Sequence, residues 1–204
     1  MKTEKQKMLE GLVYDANNDA ELIRERTECA DALHTYNSLL PSDTSRRAEI
    51  LRKLFASTGR NFTIVSPFYC DYGYNISVGE NFFMNTGCVI LDGAEVSFGD
   101  DVFVAPMCGF YTAGHLLDRE ARAAGLEYAY PIKIGKGVWI GAQCSILPGV
   151  SIGDGSVIGA GSVVTRSIPA GVLAFGNPCR VVRTLGPGDR ERTCGVEGLL
   201  RDSI

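Results

Sequence analysis

Between residues 134 and 164 the chain reads IGKGVWIGAQCSILPGVSIGDGSVIGAGSVV, and Ile134, Ile140, Ile146, Ile152, Ile158 and Val164 recur at every sixth position. An amphipathic helix places its apolar residues at i, i+3, i+4 and i+7. Each of the glycines at 135, 137, 141, 149, 153, 155, 159 and 161 would cost such a helix about 1 kcal/mol relative to alanine. A single strand alternates and then turns, whereas this turn signal returns every six residues without a break, as in a repeat architecture. The spacing therefore predicts a chain that winds, with its aliphatic residues stacked inside. Gly135, Gly141, Gly153 and Gly159 follow isoleucines, where a corner with positive φ suits a residue without a Cβ. The fifth residue of each unit, Val138, Cys144, Val150, Ser156 or Ser162, is small or β-branched and fits a pleated wall.

The same register runs earlier. Val78, Met84 and Ile90 are six apart, as are Phe98, Val104 and Phe110, with a two-residue slip between Ile90 and Phe98. One solenoid over 60–184 is the economical reading. It is interrupted at 112–131, TAGHLLDREARAAGLEYAYP, where the hexad fails and charged residues collect. An extruded loop of that length within a compact repeat is usually functional. Residues 1–59 differ in kind. Asp19 precedes an apolar pattern of Leu22, Cys29, Leu33, Tyr36 and Leu40 that Pro41 ends, and Asp43 opens a second helix with Ile50, Leu51, Leu54 and Phe55, stopped by Gly59. These helices read as the cap that a solenoid's terminal coil requires. Residues 185–204 show no repeat and read as a tail.

A net charge of −4 and a pI near 5.3 offer no general attraction to nucleic acid or anionic lipid, and the basic residues are scattered apart from Arg166, Arg180 and Arg183. No apolar run approaches the roughly 18 residues of a membrane span, and MKTEKQKMLE has no signal-peptide core. A cytoplasmic protein without nucleic-acid or membrane partners is expected. The seven cysteines form no CxxC pair, and with two histidines they point to neither a disulfide framework nor a metal site.

Both histidines can be weighed singly. His34 lies within a helical pattern and reads as a helix-face residue. His115 lies where the hexad breaks, so the backbone holds an imidazole outside the wound coil, as either a solvated loop residue or a catalytic one. Asn85 takes the second position of its hexad, where it is either an ordinary corner or an amide donor. Trp139 is the only tryptophan, and its place at the end of a hexad points it outward. Nothing near Cys108 suggests the lowered pKa that a nucleophile needs.

The segments CDYGYNISVGENFFMN (70–85), TAGH (112–115), GVWIGA (137–142), GAGSVVT (159–165) and GNPCRVVR (176–183) together resemble the maltose and galactoside O-acetyltransferases of the hexapeptide-repeat transferase family. The resemblance runs over about 5–184, and TEKQKMLEG with the CDYGYN stretch is closer to the maltose branch. It implies a mainly β fold, a left-handed parallel β-helix of hexapeptide repeats with an N-terminal helical cap. The left-handed sense runs against the usual crossover rule and comes from the resemblance alone. It also implies a homotrimer, with no metal, that moves acetyl from acetyl-CoA to a hydroxyl of a small maltose- or glucose-like sugar.

On that resemblance His115 is the general base and Asn85 the donor to the oxyanion. Asp71, Phe83, Asn85, Glu127, Arg26 and Asn17 fall at sugar-binding positions, and Glu127 alternatively holds the second nitrogen of His115. Trp139, Ala142, Ala160, Ala105, Thr165, Arg166, Arg180 and Arg183 fall at positions lining the acetyl-CoA slot. The arginines alone would otherwise read as solvated surface. A carboxylate found in the galactoside branch stands here as Gly93, against a galactoside preference. The alternatives are a non-catalytic β-helix scaffold and an acetyltransferase for a non-sugar acceptor. A zinc enzyme on this fold would need three histidines per site, and the chain has two.

Overall fold

Short strands joined by tight corners carry the hexad around three walls in the computed structural model of the chain, which describes residues 2–189. The first wall holds Ser57–Thr58, Ile76–Val78, Val96–Phe98, Ile132–Ile134 and Ser151–Ile152. The second holds Phe62–Ile64, Phe82–Met84, Phe103–Val104, Trp139–Ile140, Val157–Ile158 and Val172–Phe175. The third holds Phe68–Cys70, Cys88–Leu91, Gly109–Tyr111, Ser145–Ile146 and Val163–Val164. Neighbouring coils pair in parallel, and the solenoid is a left-handed parallel β-helix of about 6 turns. The expected register is the observed one: Ile140, Ile146, Ile158 and Val164 are fully buried, and Ile134 and Ile152 nearly so. Each such side chain contributes roughly 1.5–3 kcal/mol by leaving water.

The glycines after the isoleucines have a different cause from the expected one. Positive φ falls two residues later, at Gly137, Gln143, Gly149, Gly155 and Gly161, again six apart. Gly141 and its equivalents sit where the next coil passes. A Cβ on Gly141 would lie 2.6 Å from the backbone nitrogen of Ala160, and one on Gly153 would lie 2.4 Å from that of Ala170. Coils stacked at strand spacing, about 4.8 Å, leave no room for a side chain pointing along the axis.

The outer faces of the walls differ. On the first wall Ser57, Ser77, Ser97, Lys133 and Ser151 stand in one polar row. On the second, Phe83, Phe103, Trp139 and Val157 form an apolar row, with Phe103 53% and Trp139 41% exposed.

Three helices close one end: α1 (Glu4–Leu9), α2 (Ala20–Ser38) and α3 (Thr44–Leu54). Thr3 and Gln6 form a capping box on α1, and the Asp19 carboxylate accepts from the Leu22 N–H at 2.9 Å to start α2. Leu22, Cys29, Leu33 and Tyr36 form the buried face of α2, while Leu40 lies past its end and is exposed. Asp43 precedes α3 without making a side-chain cap. Arg47 of α3 is buried over the Tyr36 ring, 4.7 Å from its centroid, and the Tyr36 hydroxyl donates to the Ile64 carbonyl. The cap is thereby tied to the first coil.

At the other end Arg180–Thr184 turns back antiparallel on Val172–Phe175 and ends the second wall. From 190 onward the expected tail lies outside the described residues.

Candidate active site

The segment that interrupts the hexad is a folded arm. Thr112 anchors its root from a buried position: its hydroxyl donates to the Leu91 carbonyl at 2.6 Å and accepts from the Ala94 N–H at 3.0 Å. Ala113–His115 and Leu126–Ala129 then pair antiparallel, joined through α4 (Arg119–Ala123), which the Asp118 carboxylate caps at the Ala121 N–H. Tyr14–Asp15, from the stretch between α1 and α2, adds a third strand beside Leu126–Ala129. The register places Tyr14 opposite Glu127 and Glu127 opposite His115. Directly opposite residues project from the same face of a sheet, so the three side chains form one row.

A cavity of about 350 Å³ lies at this face. The N-terminal segment lines it with Tyr14, Ala16 and Asn17, α2 with Arg26, and the coil with Asp71, Tyr72 and Leu91. The arm contributes Ala113, Gly114, His115 and Glu127. The His115 imidazole is half exposed, and its Nε2 is 3.8 Å from Glu127 Oε1. The Tyr14 hydroxyl donates to the other carboxylate oxygen, Oε2, at 3.3 Å. Glu127 thus faces the cavity and stands beside the imidazole at once.

Arg26 is committed to the protein, donating to the Tyr72 hydroxyl at 2.7 Å and to the Ala16 carbonyl at 2.6 Å. Burial, with the nearby Asp92 charge, raises the Asp71 carboxyl to about 6 although Arg26 pulls it down. Burial holds the Tyr72 phenol at about 12. Asp92 lies fully buried behind this strand end, where its Oδ1 accepts from the Asp71 and Tyr72 N–H groups at 3.0 and 2.9 Å. Its Oδ2 has no partner among the described residues, and burial pushes the carboxyl up to about 6. The lining is rich in acceptors and poor in uncommitted donors, which suits a ligand that presents hydroxyls.

Five residues singled out in the sequence, Asn17, Arg26, Asp71, His115 and Glu127, meet in this cavity. Asn85 and Phe83 do not line it. Phe83 stands in the outer row of the second wall and Asn85 at the edge between the second and third walls, whereas the arm leaves from the edge between the third and the first. Asn85 Oδ1 accepts from the Thr86 N–H at 2.8 Å, and the Phe83 ring lies 6.2 Å from that of Phe103. Ala105, Ala142 and Ala160 follow successive strands of the second wall along the edge of Asn85, near the outward Trp139.

Thr165 and Arg166 are exposed after the last strand of the third wall. Arg180 donates to the Cys179 carbonyl, and Arg183 makes two bonds to the Asp189 carboxylate, at 2.9 and 2.6 Å. His34 is exposed on α2. Cys108 is buried in the prism; Cys144 pulls its thiol down, but Cys88 and burial outweigh that and push it up to about 11, against a nucleophilic role. Sequence reasoning missed Tyr14, Ala16, Tyr72, Leu91 and Asp92. Tyr14 falls between two helical patterns, where no period marks it, and its place is set by pairing with a strand more than a hundred residues away.

Residues 7–59 match the maltose acetyltransferase hexapeptide capping motif, and residues 131–166 match the bacterial transferase hexapeptide of six repeats. The galactoside O-acetyltransferase of Escherichia coli (strain K12) is 42% identical over 158 residues, which are 78% of this chain and 78% of that one. A maltose O-acetyltransferase from Clostridium difficile 630, known from its crystal structure, is 48% identical with a TM-score of 0.89, over 91% of this chain and 98% of its own. A galactoside acetyltransferase solved in complex with coenzyme A is 36% identical with a TM-score of 0.91, over 96% of this chain and 98% of its own.

Proposed function

Because the chain belongs to the maltose and galactoside O-acetyltransferase family of hexapeptide-repeat proteins, we propose that this acetyltransferase moves the acetyl group of acetyl-CoA to a hydroxyl of a small maltose- or glucose-like sugar. The observation that carries the reading is His115, held by the folded arm at a cavity whose carboxylates can accept from sugar hydroxyls.

A hydroxyl is a weak nucleophile near neutral pH and needs a base within hydrogen-bond reach. His115 takes the proton of the acceptor hydroxyl as its oxygen bonds to the thioester carbonyl carbon. Glu127 Oε1 stands 3.8 Å from Nε2 of the imidazolium so formed. When the carbon–sulfur bond breaks, the imidazolium returns that proton to the departing thiolate, and no acyl-enzyme forms. Asp71, Arg26, Asn17 and Glu127 orient the sugar.

Asn85 is assigned as donor to the oxyanion and Phe83 as an acceptor contact, both from a neighbouring chain, because Asn85 sits on a different prism edge from His115 and Phe83 on the second wall beside it. The apolar outer row of the second wall and the polar row of the first support three prisms side by side, with the serine row in solvent. Trp139, Ala142, Ala160, Ala105, Arg180 and Arg183 on the second wall and its edges, with Thr165 and Arg166 at the corner after the third wall, are assigned to acetyl-CoA: the indole and small residues along pantetheine, the arginines toward phosphate.

Thiol release from acetyl-CoA tests the reading, with maltose, glucose, a thiogalactoside and no acceptor as the arms. Release that needs maltose or glucose, with an O-acetyl ester in the product, is the expected result. Release that no sugar stimulates would sink the sugar acceptor.

A further inference from the structure

Tyr14 takes no part in the contacts assigned above, yet three observations converge on it. Its ring is buried to 2% exposure in a cluster with Met8, Leu22 and Ala129. Its hydroxyl donates to Glu127 Oε2 at 3.3 Å while the other oxygen of that carboxylate is 3.8 Å from His115 Nε2, the three residues being in register across the arm sheet. The floor beneath the hydroxyl is a glycine. A Cβ on Gly93 would lie 3.0 Å from Tyr14 Oη and 3.3 Å from Ala129 Cβ, and Gly93 has no positive φ that would itself call for glycine. What Gly93 provides is space for the phenol.

We propose that Tyr14 is a positioning residue: from the cap it fixes one oxygen of Glu127, which aims the other at His115, and Gly93 seats its hydroxyl. The inference rests on His115 as the base. A glutamate side chain is free about three torsions, and pinning one oxygen removes most of that freedom before substrate arrives. Burial and the Glu127 charge hold the phenol above its usual pKa, so it stays a donor across the working range. The cap would then complete the acid–base machinery as well as cover the coil.

The test is a double-mutant cycle on kcat with saturating acetyl-CoA and maltose. Tyr14→Phe keeps the ring and removes the hydroxyl. It should lower kcat about 10-fold and leave the KM for acetyl-CoA within about twofold, because the interaction acts on the base and not on binding. In a Glu127→Ala background the same change should alter kcat by less than about twofold, since nothing is left to position.

Gly93→Ala should lower kcat comparably in the wild type but add little to Tyr14→Phe, whose ring leaves room for the methyl. If Gly93→Ala does not fold, the Tyr14/Glu127 cycle decides alone. Multiplicative losses in that cycle, or a wild-type kcat for Tyr14→Phe, would overturn the proposal. His115→Ala run in parallel separates the two ideas. A fully active His115→Ala removes the base reading and this inference with it, whereas an inactive one beside a multiplicative cycle removes only the role of Tyr14.

Discussion

His115 and Asp92 show how much one residue's surroundings matter. Removing the base should strip turnover and spare the cosubstrate: His115→Ala is expected to lose roughly 100-fold to 10,000-fold in kcat, the range general-base catalysis contributes, while the calorimetric Kd for CoA stays within about twofold. Asp92 leads to a prediction about stability. Its carboxyl titrates near 6 in the folded chain against an ordinary value of 3.8, so between those values the folded state binds more protons than the unfolded one. Its contribution is therefore whole below about pH 4 and is lost as pH rises through about 6. Asp92→Asn removes this effect. Urea denaturation of wild type and variant at fixed ionic strength should show the wild type losing ground relative to the variant from pH 4 to pH 7. A difference that stays flat would mean that Asp92 titrates normally. The sequence showed an aspartate beside Gly93 and nothing of its burial, because the N–H groups that hold it come from residues twenty positions away.

The repeat places glycines at two kinds of position, and they should respond differently to the same methyl group. Gly141 needs the space, since its Cβ would meet the Ala160 backbone at 2.6 Å. Gly161 needs the dihedral: its φ is +72°, and nothing lies within 4 Å of its Cβ. Gly141→Ala should cost about 1–3 kcal/mol as overpacking against backbone that cannot move aside. Gly161→Ala should cost about 1 kcal/mol of left-handed strain, which Gln143 already tolerates at the equivalent position. Thermal midpoints of the two variants check the order, and a Gly161→Ala that is clearly the worse would reverse the assignment. Periodicity located every one of these glycines but assigned the positive φ to the wrong one of each pair. A hexad shows where the corners fall; which corner residue meets the next coil depends on how the coils stack.

For the whole molecule, the decisive fact is that His115 and Asn85 occupy different edges of the prism. If both act in one reaction, each site lies between two chains. His115→Ala and Asn85→Ala should each be nearly inactive alone, yet co-refolded in equal amounts they should recover activity. Random assembly of a closed ring leaves both halves intact at about a quarter of the interfaces. The measurement is activity of the mixture against each parent and against a mixture never unfolded. No recovery in verified mixed assemblies would assign both residues to a site within one chain.

The sequence by itself determined that the chain winds, and the resemblance carried by its motifs supplied the three-walled prism. An aliphatic residue every sixth position can be buried only by winding, and that constraint is local enough to be read from any thirty residues of the repeat. It also marked the arm as the place where the pattern stops, and His115 as the group held there. The row of Tyr14, Glu127 and His115 was decided only by tertiary structure. So were the seat that Gly93 leaves for a phenol and the buried Asp92 behind Asp71. Each of these depends on a pairing between segments far apart in the chain, and such a pairing leaves no period in either segment.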